Sequence, residues 1–174
     1  NALDVIDLGV MVEPDAIVER AVAEKADVIC LSGLITPSLE QMEIVARMLQ
    51  DNIQRIRQAC GRAVPVLVGG ATTSAVHTAM KLDTLYEGGV FYNSDASSAA
   101  AMAKRIVLNP DYVSELRESQ RRIRENFERK NRAGEPKHSF AQLMEKAPSS
   151  GTLRNHCSPT GALEKNISLA GLQN

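Results

Sequence analysis

The sequence has few cysteines, no excess charge of either sign and no long hydrophobic run. Its three cysteines, Cys30, Cys60 and Cys157, form no C-x-x-C pair, which argues against a disulfide framework and a thiolate zinc site. A net charge of −1 gives no electrostatic reason to expect a nucleic-acid partner or an anionic membrane surface. The longest apolar runs have the length of a strand, so no bilayer span is expected. Without a basic-then-apolar signal segment, these absences predict a protein of the reducing cytoplasm.

The 174 residues predict one domain plus a remainder. Up to about Asn109, short apolar runs alternate with patterns of helical spacing. Strands are expected at residues 2–8, 28–31, 63–68 and 90–92, and helices at residues 14–25, 38–60, 74–82 and 97–108. This alternation predicts an α/β fold, with a parallel sheet and helices on both faces.

The long helix at 38–60 has a start signal and a stop signal. Ser38 is followed three residues later by Gln41, as in a capping box, and Gly61 is a typical helix end. After Asn109 the character changes. Residues 112–130 predict a charged, solvated helix with the i,i+4 pairs Glu118/Arg122, Arg121/Glu125 and Glu125/Arg129, and residues 132–174 predict an irregular tail.

Ligands of such sheets bind beyond the carboxyl ends of the strands. The loop after the second predicted strand carries the hydroxyls of Ser32, Thr36 and Ser38 around Gly33. Such groups suit hydrogen bonding to a neutral ligand that bears amides or hydroxyls, although Ser38 alone could simply cap its helix. The adjacent Leu34 and Ile35 are aliphatic in an otherwise polar loop, which favours contact with a ligand or partner.

The loop after the third predicted strand begins Gly69-Gly70-Ala71. Glycines at a strand end allow the backbone to approach either a ligand or a neighbouring helix. Neither G-x-G-x-x-G nor G-x-x-x-x-G-K-[ST] is present, so dinucleotides and nucleoside triphosphates are poor candidates. A slot for a flat or elongated neutral group fits better.

Few residues could act as acids, bases or metal ligands. His77 has no carboxylate or second histidine at metal spacing, and His138 and His156 lie in the predicted tail with Cys157. No Ser/His/Asp or Cys/His set can be assembled. The residues therefore indicate a binding module that is not catalytic on its own.

Three runs of the sequence together resemble the cobalamin-binding domain of cobalamin-dependent methionine synthases. They are VIDLGVMV at residues 5–12, LSGLITPS at 31–38 and GGATTS at 69–74, the last followed by His77-Thr78-Ala79. The resemblance covers roughly residues 3–131 and implies a flavodoxin-like (Rossmann-like) fold. It also implies that cobalamin is held with its nucleotide tail detached from cobalt and extended into the sheet.

The resemblance carries over site residues one by one. Ser32, Thr36 and Ser38 match hydroxyls that line the tail pocket, and Ser38 also matches a member of the family's His–Asp–Ser relay. Gly69 and Gly70 match the glycines beside which the tail passes, and Gly33, Leu34 and Ala71 lie in the same matched runs. The segment that closes the pocket corresponds to Tyr92, Asp95 and Ala96, although its wording departs from the family's around Asn93-Ser94-Asp95.

The main departure is that the family's D-x-H-x-x-G, which supplies the lower cobalt ligand, has no counterpart here. The family's first, central strand also has none. The resemblance therefore implies a partial cobalamin-binding domain at residues 1–131, without the cobalt-ligating histidine. Methylcobalamin is expected to bind weakly or not measurably.

Residues 132–174 are expected to lead toward a reactivation domain, and the implied partners are the folate, homocysteine and reactivation domains of a methionine synthase. In the whole enzyme, a methyl group passes from methyltetrahydrofolate to homocysteine through cobalt. Two alternatives stay open. One is a flavodoxin-like interaction domain that binds no corrinoid, and the other is a corrinoid carrier of a different methyltransferase system.

Overall fold

Three short parallel strands form the sheet, each within or overlapping an apolar run that predicts a strand. The computed structural model describes residues 3–109 and 111–134. Strands β1 (Ile29–Ser32), β2 (Val66–Gly69) and β3 (Val90–Tyr92) lie in the order β1-β2-β3. The register places Ile29 opposite Val66 and Val66 opposite Val90. The central strand β2 is apolar up to its last residue because helices cover both of its faces.

The helices alternate with the strands as the sequence predicts. Their bounds are α1 Pro14–Ala23, α2 Pro37–Asp51, α3 Ile53–Cys60, α4 Ala75–His77, α5 Ala96–Leu108 and α6 Tyr112–Gly134. Helix α4 continues through a π-helical segment, Thr78–Leu82, and a 3-10 turn, Asp83–Leu85. The predicted tail beyond residue 134 lies outside the described residues.

Two apolar clusters, one on each face of the sheet, form the core. On the first face, Ile29, Val66 and Val90 pack with buried residues of α1, α2 and α3 and with Leu82. On the second face, Leu67 and Phe91 pack with Ala103 and Ile106 of α5 and Tyr112 of α6. The fold is therefore α/β and flavodoxin-like, as the sequence predicts.

The prediction of a strand at residues 2–8 is wrong for residues 3–8, the part that the structure describes. Residues 3–9 have no regular secondary structure, and Val5 is 82% exposed and Ile6 48% exposed. A strand exists only as part of a hydrogen-bonded ladder, and no strand in the described part of the chain pairs with this segment. The β-branched side chains that predict a strand are thus left in solvent, and the segment turns where the Gly9 amide donates to Asp7.

The prediction of a single helix at residues 38–60 is also wrong. Helix α2 ends at Asp51 and α3 begins at Ile53, on either side of Asn52. The Asn52 side-chain amide donates to the Met48 carbonyl at 2.9 Å, where it competes with the helical ladder. The apolar stripe nevertheless continues from Leu49 to Ile53, so periodicity alone does not reveal the break. The capping role expected of Ser38 is absent too. Helix α2 begins one residue earlier at Pro37, whose fixed φ suits a first helical position.

The outer edge of β3 is closed by side chains. The backbone amide of Val90 donates to the Asp83 carboxylate at 3.0 Å. The side-chain amide of Gln120 donates to the Val90 carbonyl at 2.6 Å. Arg124 holds Asp83 in place through a contact of 2.5 Å. Asp83 and Gln120 thus bond the outward backbone groups of Val90, where a fourth strand would otherwise pair.

The outer edge of β1 is not closed in the same way. The amides of Ile29 and Gly33 donate to Pro65 and Gly69, toward β2. By the alternation of a parallel ladder, the backbone groups of Cys30 and Ser32 point away from β2, and both residues are exposed. Among the residues described, β1 is therefore an open edge strand.

Helix α6 carries a charged outer surface, as predicted. Arg122 and Arg121 lie 3.3 Å and 3.7 Å from Glu118 and Glu125, as expected from the spacing. Arg129 instead donates to Asn126. Exposed pairs of this kind contribute little to stability. Over the described residues, no helix is both long and apolar enough to span a bilayer.

Candidate functional site

Three residues form a row across the carboxyl edge of the sheet. Ser32 at the end of β1 pairs with Gly69 at the end of β2. The next pair brings Gly69 opposite Asn93, because Val68 pairs with Tyr92 and the Asn93 amide donates to the Val68 carbonyl at 2.8 Å. By strand alternation, all three residues belong to the same face as Leu67 and Phe91. Parallel strands thus bring together residues that are far apart in sequence.

The middle of this row carries no side chain, because it is Gly69. A Cβ built at Gly69 would meet only one atom of the described structure within 4 Å, the backbone oxygen of Asn93 at 3.1 Å. On one side of the gap lies Ser32, which is exposed, and on the other lies Asn93, which is 4% exposed. We call this gap the Gly69 slot, bounded by Ser32, Gly69 and Asn93.

Asn93 carries a buried side-chain amide on the same face of the sheet as Ser32 and Gly69. Both its Nδ2 and its Oδ1 are buried, and neither has a hydrogen-bond partner among the described residues. An unsatisfied buried polar group costs about 1–3 kcal/mol. The sequence predicts the loop at residues 93–97 as a place for function, but it does not single out Asn93 as a site residue. The available signal is a polar residue directly after an apolar strand, in register with a glycine.

Gly33 and Gly70 tie two loops together. Gly70 has a φ of +104°, and a Cβ there would lie 2.2 Å from the Gly33 carbonyl oxygen. The Thr72 hydroxyl donates to the same carbonyl at 3.2 Å. The Cβ position of Gly70 is therefore filled by the Gly33 backbone, whereas that of Gly69 meets a single backbone oxygen, at 3.1 Å. The sequence left two alternatives for these glycines, a ligand or a neighbouring helix. Gly70 packs closely within the protein, but against the backbone of another loop.

The remaining predicted residues of the β1 loop lie around this junction. Ser38 is half-buried, and its Cβ would lie 2.9 Å from a Cβ at Gly33. Thr36 and Leu34 are exposed, Leu34 to 78%. Ala71, in the loop after β2, is exposed as well. These residues offer hydroxyl and aliphatic surface at the same edge of the sheet as the slot.

The residues after β3 shape the start of α5. Tyr92 is half-buried, and Ala96 is the first residue of the helix. Asp95 accepts hydrogen bonds from the Ser94 hydroxyl at 2.7 Å and from the Ser98 amide at 2.8 Å, and it forms a capping box with Ser98. The Ser94 hydroxyl and, after it, the Ser98 amide lower the pKa of Asp95. The carboxylate thus has a structural role as a helix cap.

The described residues contain no cluster of three or more histidine, cysteine, aspartate or glutamate side chains that could hold a metal ion. His77 is half-buried in α4, and its Nδ1 is buried without a partner there. The site thus offers a polar slot and an aliphatic rim, which suit binding more than chemistry.

Comparison with known families gives a match to the B12-binding domain over residues 1–100. The matched range includes all three strands and every residue that bounds the Gly69 slot. Because it spans more than half of the 174 residues, the chain belongs to the B12-binding domain family.

Proposed function

We propose that this chain is the cobalamin-binding part of a methionine synthase, which transfers a methyl group from methyltetrahydrofolate to homocysteine. The family match supports cobalamin binding. The finer assignment is supported by the resemblance of residues 5–12, 31–38 and 69–74 to methionine synthases. The observation that carries the proposal is that two of these runs meet at the carboxyl edge of the sheet, beside an open slot.

The residues at this edge fit the nucleotide tail of cobalamin by their chemistry. The tail combines a flat aromatic base with ribose and phosphate oxygens. The Gly69 slot is free of side-chain atoms, and the Asn93 amide and the Ser32 hydroxyl provide donors and acceptors on its two sides. Leu34 and Ile35, which are 78% and 62% exposed, add apolar contact area for the corrin periphery.

The residues of this chain hold the tail, and the resemblance gives none of them the role of cobalt ligand. Its sequence contains no D-x-H-x-x-G, and the resemblance places a non-ligating histidine at His77. When bound, cobalamin supplies a cobalt centre that can accept and release a methyl group. The folate, homocysteine and reactivation domains of a methionine synthase are the partners in this proposal, and the first two would select the substrates.

Titration of the protein with methylcobalamin tests the proposal. We expect weak binding, with the visible spectrum shifting to the base-off form because the tail leaves cobalt and no histidine replaces it. Gly69→Val, which fills the slot, should abolish the shift. Gly61→Ala, at a helix end where a Cβ meets nothing within 4 Å, should leave it unchanged.

Two results would contradict the proposal. A tight complex with a histidine-ligated spectrum would refute the expected weak binding, and no effect of saturating cobalamin on thermal unfolding would favour an interaction domain. The methionine synthase assignment needs a separate assay. The chain, mixed with isolated folate and homocysteine domains of a methionine synthase, should raise methionine formation above that with free methylcobalamin. No increase would favour a corrinoid carrier of another system.

A further inference from the structure

We infer that Asn93 is a ligand-specificity residue of the Gly69 slot, and that its side-chain amide hydrogen-bonds the ribose or phosphate oxygens of the inserted nucleotide tail. This inference rests on the proposed function, because it assigns a polar contact within the same site. None of the sequence runs that resemble methionine synthases includes Asn93, and the wording around it departs from the family's.

The side-chain amide of Asn93 is isolated from the other polar groups of the described structure. Asn93 is 4% exposed, and the described residues provide a partner for neither Nδ2 nor Oδ1. Buried side-chain amides in folded proteins almost always have a hydrogen-bond partner. The partner therefore lies beyond the described residues, and in this inference it is a polar group of the ligand.

The pairing of β2 and β3 fixes Asn93 beside Gly69. The backbone of Asn93 is fixed by its bond to the Val68 carbonyl, and its own carbonyl oxygen is the atom nearest to the open space over Gly69. The residue also lies on the slot's face of the sheet, two positions after Phe91. A group that enters the slot over Gly69 must pass beside Asn93.

The Asn93 side chain can both donate and accept hydrogen bonds, which suits the oxygen groups of the nucleotide tail. A carboxamide has two donor hydrogens and an acceptor oxygen, so it can bind phosphate oxygens and ribose hydroxyls at once. Ser32, across Gly69, adds a hydroxyl on the opposite side. No charged side chain belongs to the row, so its contacts with the tail are hydrogen bonds to oxygen and not ion pairs.

A site of this kind predicts opposite effects on stability and on affinity. Replacing Asn93 by leucine, which has a similar branched shape, removes an unsatisfied buried amide from the free protein. The same change removes a hydrogen-bond partner of the ligand. A residue that only shapes the fold would not separate these two quantities.

The experiment compares wild type, Asn93→Leu and Thr84→Ala as the control. Thr84 lies in the 3-10 turn before β3, at the opposite end of the sheet, and bonds only to the Lys81 and Met80 carbonyls in the described structure. The probes are hydroxocobalamin and cobinamide, which has the corrin ring but no nucleotide tail. Equilibrium dialysis gives the dissociation constants, and thermal unfolding of the free proteins gives their midpoints.

Asn93→Leu is expected to weaken hydroxocobalamin binding about five-fold, or about 1 kcal/mol at 1.4 kcal/mol per tenfold. Its cobinamide affinity should stay at the wild-type value, and its unfolding midpoint should rise. Thr84→Ala should change neither affinity. If Asn93→Leu does not fold, Asn93→Ala provides the same affinity comparison without added volume.

The outcomes separate this inference from the proposed function. Wild type that binds neither probe would overturn the proposed function and the inference together. Wild-type affinity for hydroxocobalamin in a folded Asn93 variant would overturn the role of Asn93 alone. An equal loss for both probes would also overturn it, because the contact would then involve the corrin ring.

Discussion

At the scale of single residues, Gly70 shows how a missing side chain joins two loops. Its backbone lies so close to Gly33 that no Cβ can be accommodated, and its φ of +104° is one that other residues rarely adopt. The contact holds the loop after β1 against the loop after β2. The hydroxyl-bearing loop and the Gly69 slot are thereby kept at a fixed separation.

Gly70→Ala should therefore destabilise the protein by at least about 3 kcal/mol, because steric clash with the Gly33 backbone adds to conformational strain. Gly61→Ala is the matched control. It has a comparable φ of +75° but open space around the added Cβ, so it should cost about 1 kcal/mol, the strain of an L-residue in the left-handed conformation. Urea unfolding measures both, and equal losses would contradict the steric contact.

Tyr86 links stability to alkaline pH. Its hydroxyl donates to the Val64 carbonyl at 2.9 Å, and the residue is 2% exposed. Burial raises the pKa of Tyr86 to about 12, above its value of about 10 in an unfolded chain. The neutral hydroxyl is favoured in the folded state, so its contribution is complete below pH 10 and is lost as the pH rises through 12.

Wild type should lose about 2–3 kcal/mol more than Tyr86→Phe across that interval, at 1.36 kcal/mol per pKa unit. Urea unfolding at a series of pH values measures the difference between the two proteins, which cancels other titrating groups. Parallel curves for wild type and Tyr86→Phe would show that the buried hydroxyl does not control this loss.

Asn93 marks the limit of prediction from sequence at this scale. The loops that carry Ser32 and Gly69 could be selected because glycines and hydroxyls at strand ends have direct physical meanings. The importance of Asn93 depends on its burial and on its register with Gly69, and both arise only when β2 and β3 pair. Its residue type alone is equally typical of a turn.

At the scale of elements, the closed edge of β3 depends on Asp83, which accepts from the Val90 amide and pairs with Arg124. Asp83→Ala should cost about 2 kcal/mol, because it leaves a part-buried amide and a part-buried guanidinium without their acceptor. Glu24→Ala, which breaks the exposed i,i+4 pair with Arg20, should have little effect. Thermal unfolding gives the comparison, and a similar small shift in both variants would contradict the role of Asp83.

The secondary structure elements were predictable where the local pattern matched the tertiary environment. β3 has the predicted bounds. Its apolar run follows the pair Gly88-Gly89 and finds a partner strand in β2. Residues 3–8 are also rich in apolar side chains, but they have no neighbouring strand among the described residues, and a sequence pattern does not specify its partner. Asn52 interrupts a helix through its own side chain, while the apolar stripe around it continues.

At the scale of the whole molecule, cobalamin binding should appear as added stability. A ligand that binds only the folded state raises its stability by RT ln(1 + [L]/Kd), which is about 2.7 kcal/mol at 100 times Kd. Thermal unfolding in rising hydroxocobalamin should show the midpoint increase, with a smaller increase for Gly69→Val. A midpoint that stays constant in saturating ligand would contradict specific binding.

The two borders of the sheet also set how copies of the protein can associate. Among the described residues, Asp83 and Gln120 bond the outward backbone groups of Val90 at one border, whereas no such contact covers β1 at the other. Two copies joined through β1 would form a two-fold symmetric pair. Such a pair would place the backbone groups of Cys30 and Ser32 of one copy against those of the other.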